Sequence, residues 1–143
     1  MTNINKLIQD LTLKEKISLM SGFNSWYTNK IERLGVPSIK MSDGPNGVRG
    51  DSTSGKSSAC FPCAISIGST WDMDLINQLG VALGEEAKVK DVDVLLGPTI
   101  NIHRHPLGGR HFESFSEDPF LTGKIATEYV KGVQSQNVAA CLK

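Results

Sequence analysis

A polar loop at residues 101–119 carries most of the side chains that could do chemistry. Its sequence, NIHRHPLGGRHFESFSEDP, contains two Arg, three His, two Glu and one Asp. A loop that only connects two elements does not need such a density of charge, whereas binding and catalytic groups concentrate in loops. Gly108 and Gly109 allow the backbone to turn sharply just before Arg110. We therefore predict that this loop contributes to a functional site.

A second candidate site is the loop at residues 42–47, SDGPNG. Its Asp43 could bind a ligand, or it could only form a turn, because Asp before Gly-Pro favours such a position. Arg110 in the first loop could likewise donate to a ligand or brace its own loop by pairing with Glu113 or Glu117. Both alternatives stay open for each residue, and for Arg110 the two roles can coexist.

The cysteines and histidines predict neither a redox centre nor a metal site. Cys60 and Cys63 have CxxC spacing, which in a thioredoxin-like protein opens a helix, but the following residues 64–68, AISIG, look like a strand. No second CxxC completes a zinc site. His103 and His105 lack a third ligand at a clear spacing, which favours loop packing over metal binding. We therefore expect no cofactor and no metal.

Residues 50–57, GDSTSGKS, match the formal string of a phosphate-binding loop. A working loop of this kind follows a buried strand and opens a helix whose N-terminus binds phosphate. Here Phe61-Pro62 follows where that helix should run. The context therefore argues against nucleotide binding.

Composition excludes some classes of partner. The 143 residues include 15 Lys and Arg against 15 Asp and Glu, so there is no excess of positive charge for nucleic acid. Residues 1–10 lack a continuous apolar core, so they resemble neither a secretory signal nor a membrane span. We expect a cytoplasmic protein that binds neither nucleic acid nor membrane.

Hydrophobic periodicity and capping residues predict alternating strands and helices. The predicted elements are a helix at 12–20 with a Thr12–Glu15 capping box, a strand at 34–41, a helix from Asp72 or Asp74 to about Lys88–Lys90, a strand at 93–97, a helix starting at Asp118-Pro119 and a strand at 138–143. This order indicates β/α units around a parallel sheet, with the polar loops at its active face. A closed (β/α)8 barrel has eight strands and typically about 250 residues. The fold class is therefore α/β, and we expect a partial (β/α)8 TIM-type barrel, truncated after three or four strands.

Three sequence blocks together resemble the N-terminal barrel domain of glycoside hydrolase family 3, the β-glucosidase family. They are LGVPSIKMSDGPNGVR at 34–49, Phe61-Pro62 leading to GSTWD at 68–72, and the segment from Gly97 to Pro119. The blocks occur in this order over nearly the whole chain. The resemblance implies that residues 1–143 form the N-terminal portion of such a barrel domain.

The resemblance also assigns substrate-binding residues. It places Asp43 in the sugar pocket as a carboxylate that accepts hydrogen bonds from hydroxyls, and it matches Arg110 to an arginine that donates to the sugar. Lys143 matches the lysine of a Lys-His pair whose histidine would be the next residue. Carboxylates and fixed cations suit vicinal hydroxyls, because they form paired, charge-assisted hydrogen bonds. The sequence departs from the family at His111, where many relatives carry Asn.

The resemblance implies a retaining mechanism, in which the aspartate of a Ser-Asp-Trp segment attacks the sugar. No Ser-Asp-Trp occurs here, and the nearest string, Ser42-Asp43, is followed by Gly44, so this chain is expected to contain no catalytic residue. The resemblance implies release of terminal β-D-glucosyl residues by the complete enzyme, whose partners are a β-glucoside or oligosaccharide, the remainder of the barrel and a following domain. The alternatives are a non-catalytic carbohydrate-binding half-barrel and a nucleotide-binding α/β protein that uses residues 50–57.

Overall fold

Two compact units make up the chain, Met1–Met41 and Ser42–Lys143. The structure is a computed structural model that describes residues 3–50 and 56–143. Within the described residues, no helix combines the length and the apolar character needed to cross a membrane.

The first unit is built around two short helices, α1 (Ile4–Asp10) and α2 (Leu13–Met20). The predicted capping box at the start of α2 is confirmed, since the side chains of Thr12 and Glu15 each accept a hydrogen bond from the backbone N–H of the other residue. Helix α1 was not predicted from the sequence; Asn3 caps it by accepting a hydrogen bond from the backbone N–H of Lys6.

The strand predicted at 34–41 is wrong in its position. Strand β1 comprises Met41–Asp43, and the residues before it form isolated antiparallel bridges, Ile31 with Val36 and Tyr27 with Lys40. A 3₁₀ helix at Glu32–Leu34 closes the first of these turns. Local antiparallel pairing therefore occupies residues that look like a strand in the sequence. As a result Asp43 is the last residue of β1 and begins the loop that follows it.

A three-stranded sheet organises the second unit. Its order is β1, β2 (Val94–Leu96) and β3 (Ala139–Ala140). Strands β2 and β3 run parallel, with Val94 opposite Ala139. This small sheet with its covering helices confirms the α/β class and corresponds to part of a barrel.

Helix α3 (Ala64–Gly68) corrects a second prediction, because the sequence analysis took these residues for a strand. Ala64, Ile67 and Gly68 are buried whereas Ile65 is exposed, which is helical and not alternating spacing. The CxxC pair therefore does precede a helix. Its cysteines are free, and among the described residues no three His, Cys, Asp or Glu lie close enough together to hold a metal ion.

The long helices α4 (Met73–Val89) and α5 (Pro119–Ser135) pack against each other and cover the sheet. Both predicted starts are confirmed: Asp72 caps α4 by accepting from the N–H of Leu75, and Asp118 caps α5 by accepting from the N–H of Phe120. The core of the unit consists of buried apolar side chains from these helices and from the sheet, including Ile76, Leu83, Leu95, Ile125, Tyr129 and Val133.

Candidate functional site

The ends of the three strands bring the predicted binding residues together. Asp43 is the last residue of β1, Arg110 lies in the loop after β2, and Lys143 follows β3. The Nζ atom of Lys143 donates to Oδ1 of Asp43 over 2.8 Å and lies 3.9 Å from Oε2 of Glu113. The guanidinium of Arg110 pairs with Oε1 of the same Glu113. The three residues therefore form one ionic cluster through a shared carboxylate.

Two further residues belong to this cluster. Glu113 entered the sequence analysis only as a possible brace for Arg110, and the structure shows that pairing together with a near approach to Lys143. Arg49 entered only as part of a sequence block, yet its Nη1 lies 3.7 Å from Oδ2 of Asp43. The sequence feature that could have identified Arg49 was its position at the end of the block at 34–49, six residues after Asp43.

The surroundings of Asp43 keep its carboxyl group ionised. Burial alone would raise the pKa of Asp43, but the hydrogen bond and charge of Lys143, the backbone N–H of Gly44 and the charge of Arg49 together lower the pKa below its usual value. An ionised carboxylate only accepts hydrogen bonds. Asp43 therefore suits the binding of hydroxyl groups, and it does not suit proton donation.

The backbone of the Asp43 loop, residues 42–50, is tightly constrained. Gly44 and Gly47 have φ angles of 128° and 154°. A Cβ atom on Gly47 would lie 2.0 Å from the carbonyl oxygen of Ala59, so only glycine fits there. The loop is closed by two hydrogen bonds, from the N–H of Arg49 to the carbonyl of Asp43 over 3.0 Å and from the N–H of Gly50 to Oγ of Ser42 over 2.9 Å.

The Arg110 loop, residues 101–118, is held by a histidine ring. The Nε2 atom of His103 lies 2.9 Å from the carbonyl oxygen of His111 and 3.0 Å from that of Ser114. Both partners only accept, so Nε2 must carry the proton. His103 therefore packs its loop, as the sequence analysis favoured, and it fixes the short 3₁₀ helix that follows Arg110.

A cleft of about 490 Å³ lies over the cluster. Its lining includes two carboxylates and three cations, namely Asp43, Glu113, Arg49, Arg110 and Lys143. A neighbouring cleft of about 390 Å³ shares Arg110, Glu113 and Lys143 with it. Alternating charged donors and acceptors can hold vicinal hydroxyls through charge-assisted hydrogen bonds. Both lining carboxylates are ion-paired. This arrangement suits a carboxylate that binds a polar ligand better than one that attacks it as a nucleophile.

The phosphate-loop string at 50–57 falls partly outside the described residues, since residues 51–55 are not among them. The residues around it do not form the expected context. The N–H of Gly50 donates to Ser42, and the chain from residue 56 to residue 63 is not helical.

Comparison with known proteins identifies the family. The profile described as "Glycosyl hydrolase family 3 N terminal domain" matches residues 4–143. A "Beta-glucosidase" of Rhizobium radiobacter is 56% identical over 142 residues, which are 98% of this chain and 17% of that protein. A "Thermostable beta-glucosidase B" of Acetivibrio thermocellus is 48% identical over 149 residues, covering 99% of this chain and 20% of that protein.

Solved structures agree with these relatives. The crystal structure of a beta-glucosidase from Kluyveromyces marxianus in complex with glucose superposes with a TM-score of 0.95 at 46% identity and covers 100% of this chain and 17% of its own. Beta-glucosidase 3B from Thermotoga neapolitana in complex with alpha-D-glucose gives a TM-score of 0.88 at 39% identity, covering 98% and 22%. The chain thus spans about a fifth of the length of the relatives that it matches. With the profile match over nearly its whole length, the chain belongs to glycosyl hydrolase family 3, in the N-terminal domain of that family.

Proposed function

We propose that the complete protein containing this chain hydrolyses β-glycosidic bonds and releases terminal β-D-glucosyl residues with retention of configuration. This chain supplies part of the sugar-binding pocket, with Asp43, Arg110 and Lys143 as its binding residues. The observation that carries the proposal is the ionic cluster in which these residues meet at the strand ends.

The cluster has the donors and acceptors that a sugar ring requires. Asp43 keeps a second carboxylate oxygen besides the one that Lys143 contacts, and Lys143 carries three N–H donors. Arg110 uses its Nε–H on Glu113 and has further N–H donors on its terminal nitrogens. Adjacent hydroxyls of a bound sugar can therefore donate to Asp43 and accept from the two cations.

The named relatives support the glycoside class. They are called beta-glucosidases, and the two similar structures described above are complexes with glucose. A retaining enzyme needs two carboxyl groups across the bond, at roughly 5–5.5 Å, and the described carboxylates of this cleft are engaged in ion pairs. We infer that the nucleophile and the acid/base group come from the remainder of the barrel and a following domain.

The test is hydrolysis of an aryl β-glucoside by the complete protein, with the configuration of the released sugar followed by NMR. We expect turnover with retention, and no turnover by residues 1–143 alone. Binding of glucose without turnover by the complete protein would instead support the non-catalytic half-barrel. Stabilisation by nucleotide and not by glucose would support the nucleotide-binding alternative.

The variant Asp43→Ala tests the pocket assignment in the same protein. A lost charge-assisted bond costs on the order of 1.5–3 kcal/mol, so kcat/KM should fall at least about tenfold. Part of that loss should appear in kcat, because hydroxyl contacts strengthen in the transition state. Asp74→Ala, an exposed change in the first turn of α4, serves as the control and should leave kcat/KM unchanged. Equal and small decreases in kcat/KM for both variants would indicate that Asp43 only forms a turn.

A further inference from the structure

A largely buried ion pair at the C-terminal end of α4 contacts the Asp43 loop. Lys90 and Glu86 are one helical turn apart, and their side chains are only 2% and 15% exposed. The Nζ atom of Lys90 lies 2.9 Å from Oε1 of Glu86. Removing both charges from water is costly, and an apolar pair of similar volume is often as stable or more stable. The attraction between the two charges therefore does not by itself make the pair stabilising.

The other bonds of the pair join two segments that are distant in sequence. Oε2 of Glu86 accepts from the N–H of Val48 over 2.8 Å, and Oε1 accepts from the N–H of Ala59 over 2.7 Å. Lys90 donates to the carbonyl of Val48, and to Oγ of Ser58 over 2.6 Å. Both backbone polar groups of Val48 are thus bound by the pair.

Val48 connects this pair to the cluster in the cleft. The next residue, Arg49, donates its N–H to the carbonyl of Asp43, and its side chain faces the Asp43 carboxylate at 3.7 Å. A shift of the Val48 backbone would therefore move Arg49 and release the bond that closes the loop on Asp43.

We propose that Glu86 and Lys90 are positioning residues of the sugar pocket, which fix the Asp43 loop through both polar groups of Val48. This inference rests on the proposed function of the cleft. Neither residue lines the cleft, so they act on the sugar only through the loop. Burial alone would raise the pKa of Glu86, but the bonds from Lys90, Val48 and Ala59 lower it below its usual value, so the carboxylate remains an acceptor for all three groups.

The sharpest change is Glu86→Gln in the complete protein, with Glu85→Gln as its matched control. Glu85 is the preceding residue of the same helix and is exposed. A glutamine has one acceptor oxygen, so its amide NH₂ would face the N–H of Val48 or of Ala59. We expect KM for an aryl β-glucoside to rise about tenfold in Glu86→Gln, with a smaller change in kcat and no change in the control.

A double-mutant cycle separates positioning from general stabilisation. If Glu86 acts through Asp43, then Glu86→Gln should change kcat/KM less than about twofold in an Asp43→Ala background, because coupled residues are not additive. A tenfold loss in both backgrounds would overturn the inference. Lys90→Met, compared with Lys131→Met on the exposed side of α5, repeats the test with the other partner in case Glu86→Gln fails to fold.

Amide hydrogen exchange gives a readout that does not depend on turnover. Exchange at Val48, Arg49 and Ala59 should accelerate at least about tenfold in Glu86→Gln and stay unchanged in Glu85→Gln. Unchanged exchange at these amides would overturn the inference even in an active enzyme. Absence of β-glucoside hydrolysis by the unmodified protein, with the exchange result as expected, would instead overturn the proposed function.

Discussion

The Asp43 loop and the Arg110 loop both supply charged groups to the cleft, but they are held by different means. The Glu86–Lys90 pair binds the backbone of the first loop, and at Gly44 and Gly47 an added Cβ atom would clash with neighbouring backbone. The second loop is held by the ring of His103, and its Arg110 side chain is 74% exposed and pairs with Glu113.

This difference means that the side chains of the two loops are constrained to different degrees before any ligand binds. Asp43 is already in place, with its charge compensated and its backbone closed, so under the proposed function little ordering of this loop would remain for a sugar to bring about. The Arg110 guanidinium sits mostly in water, so its contacts to a ligand include the cost of fixing an exposed side chain. The cleft therefore combines an acceptor that is already fixed, Asp43, with a donor whose position is less constrained, Arg110.

The largest expected effect compares one glycine from each loop. Gly47→Ala should lower the free energy of unfolding by about 3 kcal/mol or more, because backbone strain costs of order 1–3 kcal/mol and the clash with Ala59 adds to it. Gly109→Ala should stay within about 0.5 kcal/mol, since a Cβ there meets no atom within 4 Å. Denaturant or thermal unfolding measures both. Similar losses in the two variants would remove the contrast between the loops.

A second change, Lys143→Met, tests whether Asp43 is held by charge. We expect kcat/KM to fall about tenfold, since a charge-assisted bond is lost. Because the folded-state pKa of Asp43 is lowered, the stabilisation by Lys143 is fully present above the ordinary value of 3.8 and is lost as the pH falls through the lowered pKa. The difference in melting temperature between the unmodified protein and Lys143→Met should therefore shrink in acid. A difference that stays constant from neutral pH to pH 2 would argue that packing, and not charge, holds Asp43.

The smallest expected effect is that of His103→Ala in the Arg110 loop. Loss of the hydrogen bonds from Nε2 should cost about 1 kcal/mol of stability, the usual net value for a neutral hydrogen bond. We expect faster amide exchange at residues 111–114 and little change at residues 42–50, measured by hydrogen exchange. Equal acceleration in both loops would show that they form one cooperative unit and are not held independently.

The sequence by itself determined the features that depend on neighbouring residues. The starts of α2, α4 and α5 followed from their capping residues, because a cap bonds to an N–H only two or three positions away. The family likewise followed from blocks of consecutive residues. The resemblance to the family assigned Asp43, Arg110 and Lys143 to one pocket, and in the structure their side chains meet in one ionic cluster.

Tertiary structure alone decided the rest. Residues 64–68 are apolar enough for a strand, and only packing against the core makes them a helix. Strand β1 starts at Met41 because residues before it pair locally. The bonds from Glu86 and Lys90 to Val48 join positions about forty residues apart, and hydrogen bonds over such separations leave no local pattern in a sequence. They exist because the folded chain buries two charges at a place where the polar groups of the loop are available to pair with them.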